Sequence, residues 1–262
     1  MTFEEQLNQL QANGICSEVQ NTKELSQSTC PKCQGTYWTI NGNGDAVRCN
    51  CWKREKQKRI LKFANIPDKY KDATFDNYKT NIYSDPGKME QIKKLCGTYA
   101  AEYKEKAKGL FLHSDTKGSG KTRMAATIGN VLMANGVTVK FATSSSILEE
   151  IKKTWSKTSE YTESRLVDDL ILAEVLVIDD FGAEKPKDWI NDKFYYIINE
   201  RYINERTTIY TSNFALKDLD YDERICNRIK ETCYQIHFPE ESMRDKQAAY
   251  NMHQLRGMIE GR

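Results

Sequence analysis

No part of this 262-residue chain stays apolar for long. The longest strongly hydrophobic run is Val175-Leu176-Val177-Ile178, far short of the roughly 20 residues a membrane-spanning helix needs. An excess of one charge is also missing. Lysine and arginine number 39 against 37 aspartates and glutamates, a formal net charge of +2, so any basic surface for nucleic acid must be local. Internal repeats and low-complexity tracts are absent, which excludes a solenoid. The start, Met1-Thr2-Phe3-Glu4-Glu5-Gln6-Leu7, is acidic and amphipathic, without the basic and then apolar pattern of an export signal. These absences point to the cytoplasm, where eight cysteines read as metal ligands before disulfides.

What remains is a globular profile, 39% hydrophobic and 29% charged, long enough for one α/β core and a small accessory module. The pattern divides the chain into residues 1–60, 61–88 and 89–262. The first part opens with a short helix presenting Phe3, Leu7 and Leu10, followed by a cysteine-framed segment. It closes on a basic stretch from Trp52 to Lys62 with six basic residues against one acidic. The second carries Pro67, Pro86 and scattered aromatics and reads as an extended lead-in pinned onto the next domain. In the third, strands expected at 109–113, 137–143, 175–179, 207–211 and 234–238 alternate with helices. The helices are expected at 88–107, 121–134, 145–156, 163–173, 189–204 and 222–231. Such alternation builds a parallel sheet covered on both faces. The last four residues, Ile259-Glu260-Gly261-Arg262, spell a common engineered protease site and carry no functional weight.

Between the first expected strand and its helix lies Lys117-Gly118-Ser119-Gly120-Lys121-Thr122, followed by Arg123. Glycines in this setting let backbone N–H groups turn onto phosphate oxygens, and the helix N-terminus adds a favourable dipole. Lys121 is placed to reach the β- and γ-phosphates of ATP or ADP, and the Thr122 hydroxyl to bind Mg²⁺. The pattern departs from the usual phosphate loop at its first position, where Asp115 stands in place of glycine.

The strand Val175 to Ile178 ends in Asp179-Asp180. Carboxylates at the open end of a strand beside a phosphate loop form a Walker B element. Asp179 is the expected Mg²⁺ residue, and Asp180 the one that polarises the attacking water. The next strand ends in Thr211-Ser212-Asn213, and Asn213 is placed to aim its amide at the γ-phosphate or that water.

The cysteines form a second constellation. Cys30-Pro31-Lys32-Cys33 and Cys49-Asn50-Cys51 make a C-x₂-C-x₁₅-C-x-C pattern. Four thiolates can surround Zn²⁺ tetrahedrally at about 2.3 Å, and the β-formers between the pairs suit a two-stranded ribbon. A segment this small buries too little core to fold unaided, so the metal supplies stability. With all four positions taken by cysteine the site is structural. None of His113, His237 and His253 lies near it in sequence.

Gly109 to Thr122, Val175 to Glu184, Trp189 and Thr207 to Asn213 together resemble the DnaC/DnaI helicase-loader family of AAA+ ATPases. Phe63-Ala64-Asn65-Ile66-Pro67 through Phe75 resembles that family's lead-in. The likeness covers about residues 60–245. The 24 residues after the last expected strand suffice for one helix and not for a C-terminal lid domain, a build that family shares, and the cysteine spacing puts a zinc-ribbon-like module in front. The likeness implies a P-loop AAA+ (ASCE) sheet. It also implies that Arg228 or Arg224, with Arg228 favoured, is an arginine finger in a neighbouring subunit's site, and that Arg244 is a sensor-2 arginine. The implied function is ATP-dependent loading of a DnaB-type hexameric helicase onto single-stranded DNA, with self-assembly on ATP and DNA. Residues 1–60 would dock the helicase. The basic stretch would meet DNA phosphates, meet an acidic helicase surface, or form a solvated helix face. Two other readings stay open: an IstB-like AAA+ regulator of transposition, and a non-hydrolysing adaptor that tethers helicase to DNA.

Overall fold

The computed structural model describes residues 30–34, 36, 38–42, 44–49, 51, 64–155 and 162–260. The helix expected near Phe3 and the basic stretch from Trp52 to Lys62 lie outside them. The chain divides into two compact units, residues 1–55 and 56–262, each described by itself.

In the first unit, β1 (Trp38–Ile40) pairs antiparallel with β2 (Ala46–Arg48). Gly44, at φ +86°, turns the chain, and the Asp45 amide donates to Asn41 Oδ1 at 2.9 Å. Trp38, Ile40 and Val47 all stay exposed, whereas Cys33, Cys49 and Cys51 are buried. A hairpin with its apolar side chains in water has little hydrophobic stability of its own. The cysteines are its only interior among the described residues.

The second unit is a five-stranded sheet in the order β4-β5-β6-β3-β7, all parallel. Its strands are β3 (Gly109–His113), β4 (Val139–Thr143), β5 (Val175–Asp179), β6 (Thr207–Ser212) and β7 (Cys233–His237). Helices α1 (Pro86–Ala101) and α2 (Lys121–Ala134) cover one face. The other is covered by α3 (Ser144–Thr154), α4 (Glu163–Leu172), α5 (Asp188–Ile203) and α6 (Glu223–Thr232). A final helix, α7 (Met243–Glu260), follows β7. Successive strand side chains alternate between the faces. Leu110, Leu112, Val175, Val177 and Ile209 meet α1 and α2, while Phe111, Leu176, Ile178 and Tyr210 meet the other layer.

Two boundaries differ from expectation. The helix expected to run to 107 stops at Ala101, because Lys106 adopts φ +66° and the Ala107 amide closes a turn on the Lys104 carbonyl at 3.0 Å. The strand expected from Val137 starts at Val139. Gly136, at φ +86°, ends α2, and the Val137 amide donates back to the Leu132 carbonyl at 3.0 Å. The remaining expected elements of the sheet unit agree with the structure to within two residues at each end.

The lead-in is part of the core. Ala64, Ile66, Tyr78 and Tyr83 are buried in the α1–α2 layer, and Asn130 of α2 donates to the Tyr70 and Ala73 carbonyls, both at 2.9 Å. On the opposite face, Arg201 of α5 is fully buried. Its Nη1 lies 2.8, 3.0 and 2.8 Å from the carbonyl oxygens of Leu170, Ile171 and Ala173. Nε donates to Thr208 Oγ1 at 2.9 Å. The guanidinium thereby satisfies the orphan carbonyls at the end of α4. Burial lowers its pKa to about 10.

Candidate nucleotide-binding site

The site is built at the C-terminal ends of β3, β5 and β6, where open parallel sheets bind ligands. After β3 the chain turns through Ser114 to Gly120 and enters α2 at Lys121. Gly118 and Gly120 take φ of +82° and +97°, a region unfavourable to any residue with a Cβ. Space imposes the same choice. A Cβ on Gly120 would run into the hydroxyls of Tyr78 and Tyr83, and one on Gly118 would meet Ser242 Oγ and Arg244 Cγ at 3.1 Å. The two tyrosines also hold the loop from behind. Tyr83 donates to the Ser119 carbonyl at 2.9 Å and Tyr78 to that of Gly120 at 3.3 Å.

Inside the loop, Lys121 is buried. Its ammonium donates to the Ser114 carbonyl at 3.1 Å, the Thr116 carbonyl at 3.0 Å and Ser119 Oγ at 3.1 Å. Burial lowers its pKa to about 8, although Asp180, Glu240 and Asp179 pull it upward. Phosphate oxygens are natural replacements for those carbonyls, since they carry the counter-charge this cation lacks.

Thr122 Oγ1 donates to Asp179 Oδ1 at 2.8 Å, and Thr211 Oγ1 donates to the same oxygen at 2.5 Å. At this separation both oxygens can face one Mg²⁺, the Thr122 hydroxyl directly and the Asp179 carboxylate through water. The pair therefore fits the ion. Burial raises the Asp179 pKa, the Thr211 hydrogen bond opposes that, and the Asp180 charge adds to it. Opposite charge is what such a carboxylate needs, and Mg²⁺ would supply it.

Asp180 sits at φ +53°, a sparsely populated conformation for a residue with a side chain. Its amide donates to Thr211 Oγ1 at 3.0 Å, and Asn213 Nδ2 donates to its Oδ1 at 3.3 Å. Ser144 Oγ, at the start of α3, donates to the Asp180 carbonyl at 2.9 Å and also meets the Glu184 carboxylate. Strain and polar contacts together aim the Asp180 carboxylate. Acting as a base on water, it would be oriented by Asn213.

A family model described as IstB-like ATP binding protein matches residues 6–250. The chain belongs to that family. It is 30% identical over 180 residues to the replicative helicase loader DnaC of Buchnera aphidicola subsp. Acyrthosiphon pisum (strain APS), a match spanning 68% of this chain and 71% of that protein. The replicative helicase loader DnaC of Escherichia coli K12 is 26% identical over 194 residues, 71% of this chain and 76% of that one. A crystal structure of DnaI, 26% identical, covers 70% of this chain and 98% of that chain with a TM-score of 0.55. The sheet unit is thus a P-loop AAA+ ATP-binding domain, with β6 inserted between the phosphate-loop strand β3 and the acidic strand β5.

The structure gathers most of the residues singled out in the sequence. Gly118, Ser119, Gly120, Lys121, Thr122, Asp179, Asp180 and Asn213 converge, and the Arg244 stem lies over Gly118. Lys117 is exposed on the loop. Arg123 is turned elsewhere, its guanidinium donating to the Asn77 carbonyl at 3.0 Å and side-chain oxygen at 2.8 Å. The two α6 arginines serve their own chain. Arg224 pairs with Asp222 at 2.9 Å and stacks 4.3 Å from the Tyr195 ring centroid. Arg228 lies 4.0 Å from the Tyr202 centroid, with Glu231 3.9 Å away.

Thr211, Tyr78, Tyr83 and Glu240 are the contributors that the sequence did not announce. Thr211 had one signal, as a hydroxyl in the polar end of an apolar strand. The tyrosines were legible only as lead-in aromatics that pin the segment onto the next domain, and Glu240 had no signal, because their partners lie 36 to 126 residues away.

In the first unit, the Sγ atoms of Cys30, Cys33, Cys49 and Cys51 all lie within 4.8 Å of one another. Cys30 and Cys49 are 3.8 Å apart, Cys33 and Cys51 3.3 Å. Sulfurs at the corners of a tetrahedral Zn²⁺ site stand about 3.8 Å apart, so the four fit the metal. No helix among the described residues is long and apolar enough to cross a membrane.

Proposed function

We propose that the protein is an ATP-dependent loader that binds a DnaB-type hexameric replicative helicase and delivers it to single-stranded DNA at replication initiation. What carries the reading is kinship over two thirds of the chain with proteins named replicative helicase loaders. The hydrolytic geometry around Asp180 supports its ATP-driven form. Residues 1–60, stabilised by zinc on the four cysteines, dock the helicase, and residues 89–262 bind ATP, with residues 61–88 as the entry segment whose Tyr78 and Tyr83 brace the phosphate loop. Asn213 fixes the orientation of Asp180, which draws a proton from water as the water oxygen attacks the γ-phosphorus in line, the bond to the β-phosphate oxygen breaks and ADP leaves. Lys121 moves from loop carbonyls to the phosphates. Thr122 and Asp179 would hold Mg²⁺, whose charge would offset that building on the phosphoryl oxygens. Arg228 of a neighbouring copy completes the site once chains assemble on DNA. It must leave its place over Tyr202 to do so.

The family's IstB name favours a second reading, ATP-driven regulation of transposition. A binding experiment separates the two. The full chain, with ATP, is mixed with a DnaB-type hexamer and single-stranded DNA, and helicase retained on the DNA is measured. Loading that depends on ATP and is lost in Lys121→Met supports the proposal. Absence of any complex with replicative helicases overturns it.

A further inference from the structure

We infer that Glu240, in the turn between β7 and α7, is a positioning residue for nucleotide binding that sets the phosphate loop where its usual first glycine is replaced by Asp115. It rests on ATP binding at this loop and is independent of helicase loading.

The amides at the head of this loop find a shared acceptor 124 or 125 residues away in sequence, and the Thr116 amide also meets Ser114 Oγ at 3.2 Å. The Asp115 amide donates to Glu240 Oε1 at 3.1 Å and the Thr116 amide to Oε2 at 2.7 Å. Ser114 Oγ also donates to Oε2, at 3.0 Å. His237 Nε2 lies 2.7 Å from Oε1 and donates to it. Burial works against the ionised carboxylate, but the bonds from His237, Thr116, Asp115 and Ser114 outweigh it and hold the pKa at about 2. At any ordinary pH Glu240 is therefore an acceptor on both oxygens.

The peptide joining Ser114 to Asp115 is gripped at both ends. Its carbonyl accepts from the Lys121 ammonium inside the loop, and its N–H donates to Glu240 outside. When Lys121 turns to a nucleotide, the inner grip is released. Glu240 keeps the plane in place, so the loop need not reorganise as the phosphates arrive. The start of α7 reinforces this role, since the Met243 amide donates to the Gly118 carbonyl at 3.0 Å. An Asp115 with a Cβ restricts the backbone more than glycine would. A fixed external acceptor compensates by selecting the one conformation the loop needs.

The test uses the full chain and compares Glu240→Gln, Glu240→Asp and Glu240→Ala. Affinities for ATP and ADP are measured with a fluorescent analogue, adenosine serves as a phosphate-free competitor, and Tm is followed in parallel. Glu240→Gln keeps the volume but gives up one acceptor to an NH₂ that faces another N–H. It should weaken ATP and ADP several-fold, and Glu240→Ala should weaken them roughly ten-fold or more. Adenosine competition should not change, because adenosine has no phosphate for the loop to hold. A merely structural residue would move all three ligands together with Tm. Parental ATP affinity in a folded Glu240→Gln overturns the inference, as does equal weakening of ATP and adenosine. If the parent chain itself fails to bind ATP, the nucleotide site falls, and that outcome is separate from either result.

Discussion

Lys121 holds its ammonium among neutral oxygens, and this gives the residue a measurable cost. The folded lysine loses its proton near pH 8, the unfolded one near 10.4. Between those values the unfolded lysine holds a proton the folded one has lost, so the Lys121 contribution to stability rises with pH across that window. The buried thiols of Cys96 and Cys233, pushed up to about 12, contribute in the opposite sense. Bound ATP supplies negative charge, raises the lysine pKa and should flatten the rise. The Tm difference between the parent and Lys121→Met, followed from pH 7.5 to 10 with and without ATP, checks the sign. For the same reason Lys121→Met should leave the nucleotide-free protein as stable as the parent or more so, while abolishing ATP binding. A marked fall in its Tm would mean that the three bonds of the ammonium outweigh its burial. Asp180→Asn should act on chemistry alone. The amide still accepts from Asn213, so ATP affinity should stay within a few-fold, while turnover falls roughly 10²-fold or more if Asp180 is the base. Single-turnover hydrolysis under assembling conditions measures it.

At the scale of elements, α4 and β6 are joined by Arg201, whose guanidinium meets three carbonyls at the end of the helix. Arg201→Met preserves most of the stem but orphans those oxygens. The expected loss is about 3 kcal/mol, seen as a Tm lower by roughly 6–12 °C, with ATP affinity unchanged at low temperature. This arginine was invisible in the sequence, where Glu200-Arg201-Tyr202 reads as the polar side of a helix. The sheet, by contrast, was legible. Runs such as Val175 to Ile178 are apolar at every position because both faces are covered, and the intervening helices follow from the same need. The phosphate loop was legible because backbone geometry demands glycine there, and the Asp179–Asp180 pair because two carboxylates at a buried strand's end have few other uses. What stayed hidden was contributed by single polar side chains at long range. Asn77 captures Arg123, and no periodicity or spacing encodes such a meeting.

At the scale of the whole molecule, the two compact units have different sources of stability. The first has a cysteine interior under an exposed hairpin, so a metal should hold it together. Protein kept reduced should carry about one zinc per chain, and the Cys30→Ser, Cys33→Ser double variant should carry none. That variant should still bind ATP, because the nucleotide site draws every described contact from residues 64–260. Metal analysis beside ATP titration decides both points. The second unit has a site designed for sharing if Arg228 acts between copies. Arg228→Ala should then bind ATP normally and hydrolyse it far more slowly, by roughly 10³-fold or more, and mixing it with Lys121→Ala should restore part of the activity. The loop itself has a consequence for how the protein comes into being. It is braced from upstream by Tyr78 and Tyr83 and from downstream by Glu240 and Met243. A ribosome making the chain at about 5–20 residues per second exposes Thr116 well before Glu240, which lies 124 residues later. For roughly 6–25 seconds the nascent phosphate loop has its glycines and its lysine but lacks one of its two walls. Translation must run past the end of the sheet, whose last strand stops at His237, before the loop has both walls, so stalled chains ending before Glu240 should hold ATP roughly ten-fold more weakly, or worse, than the full chain.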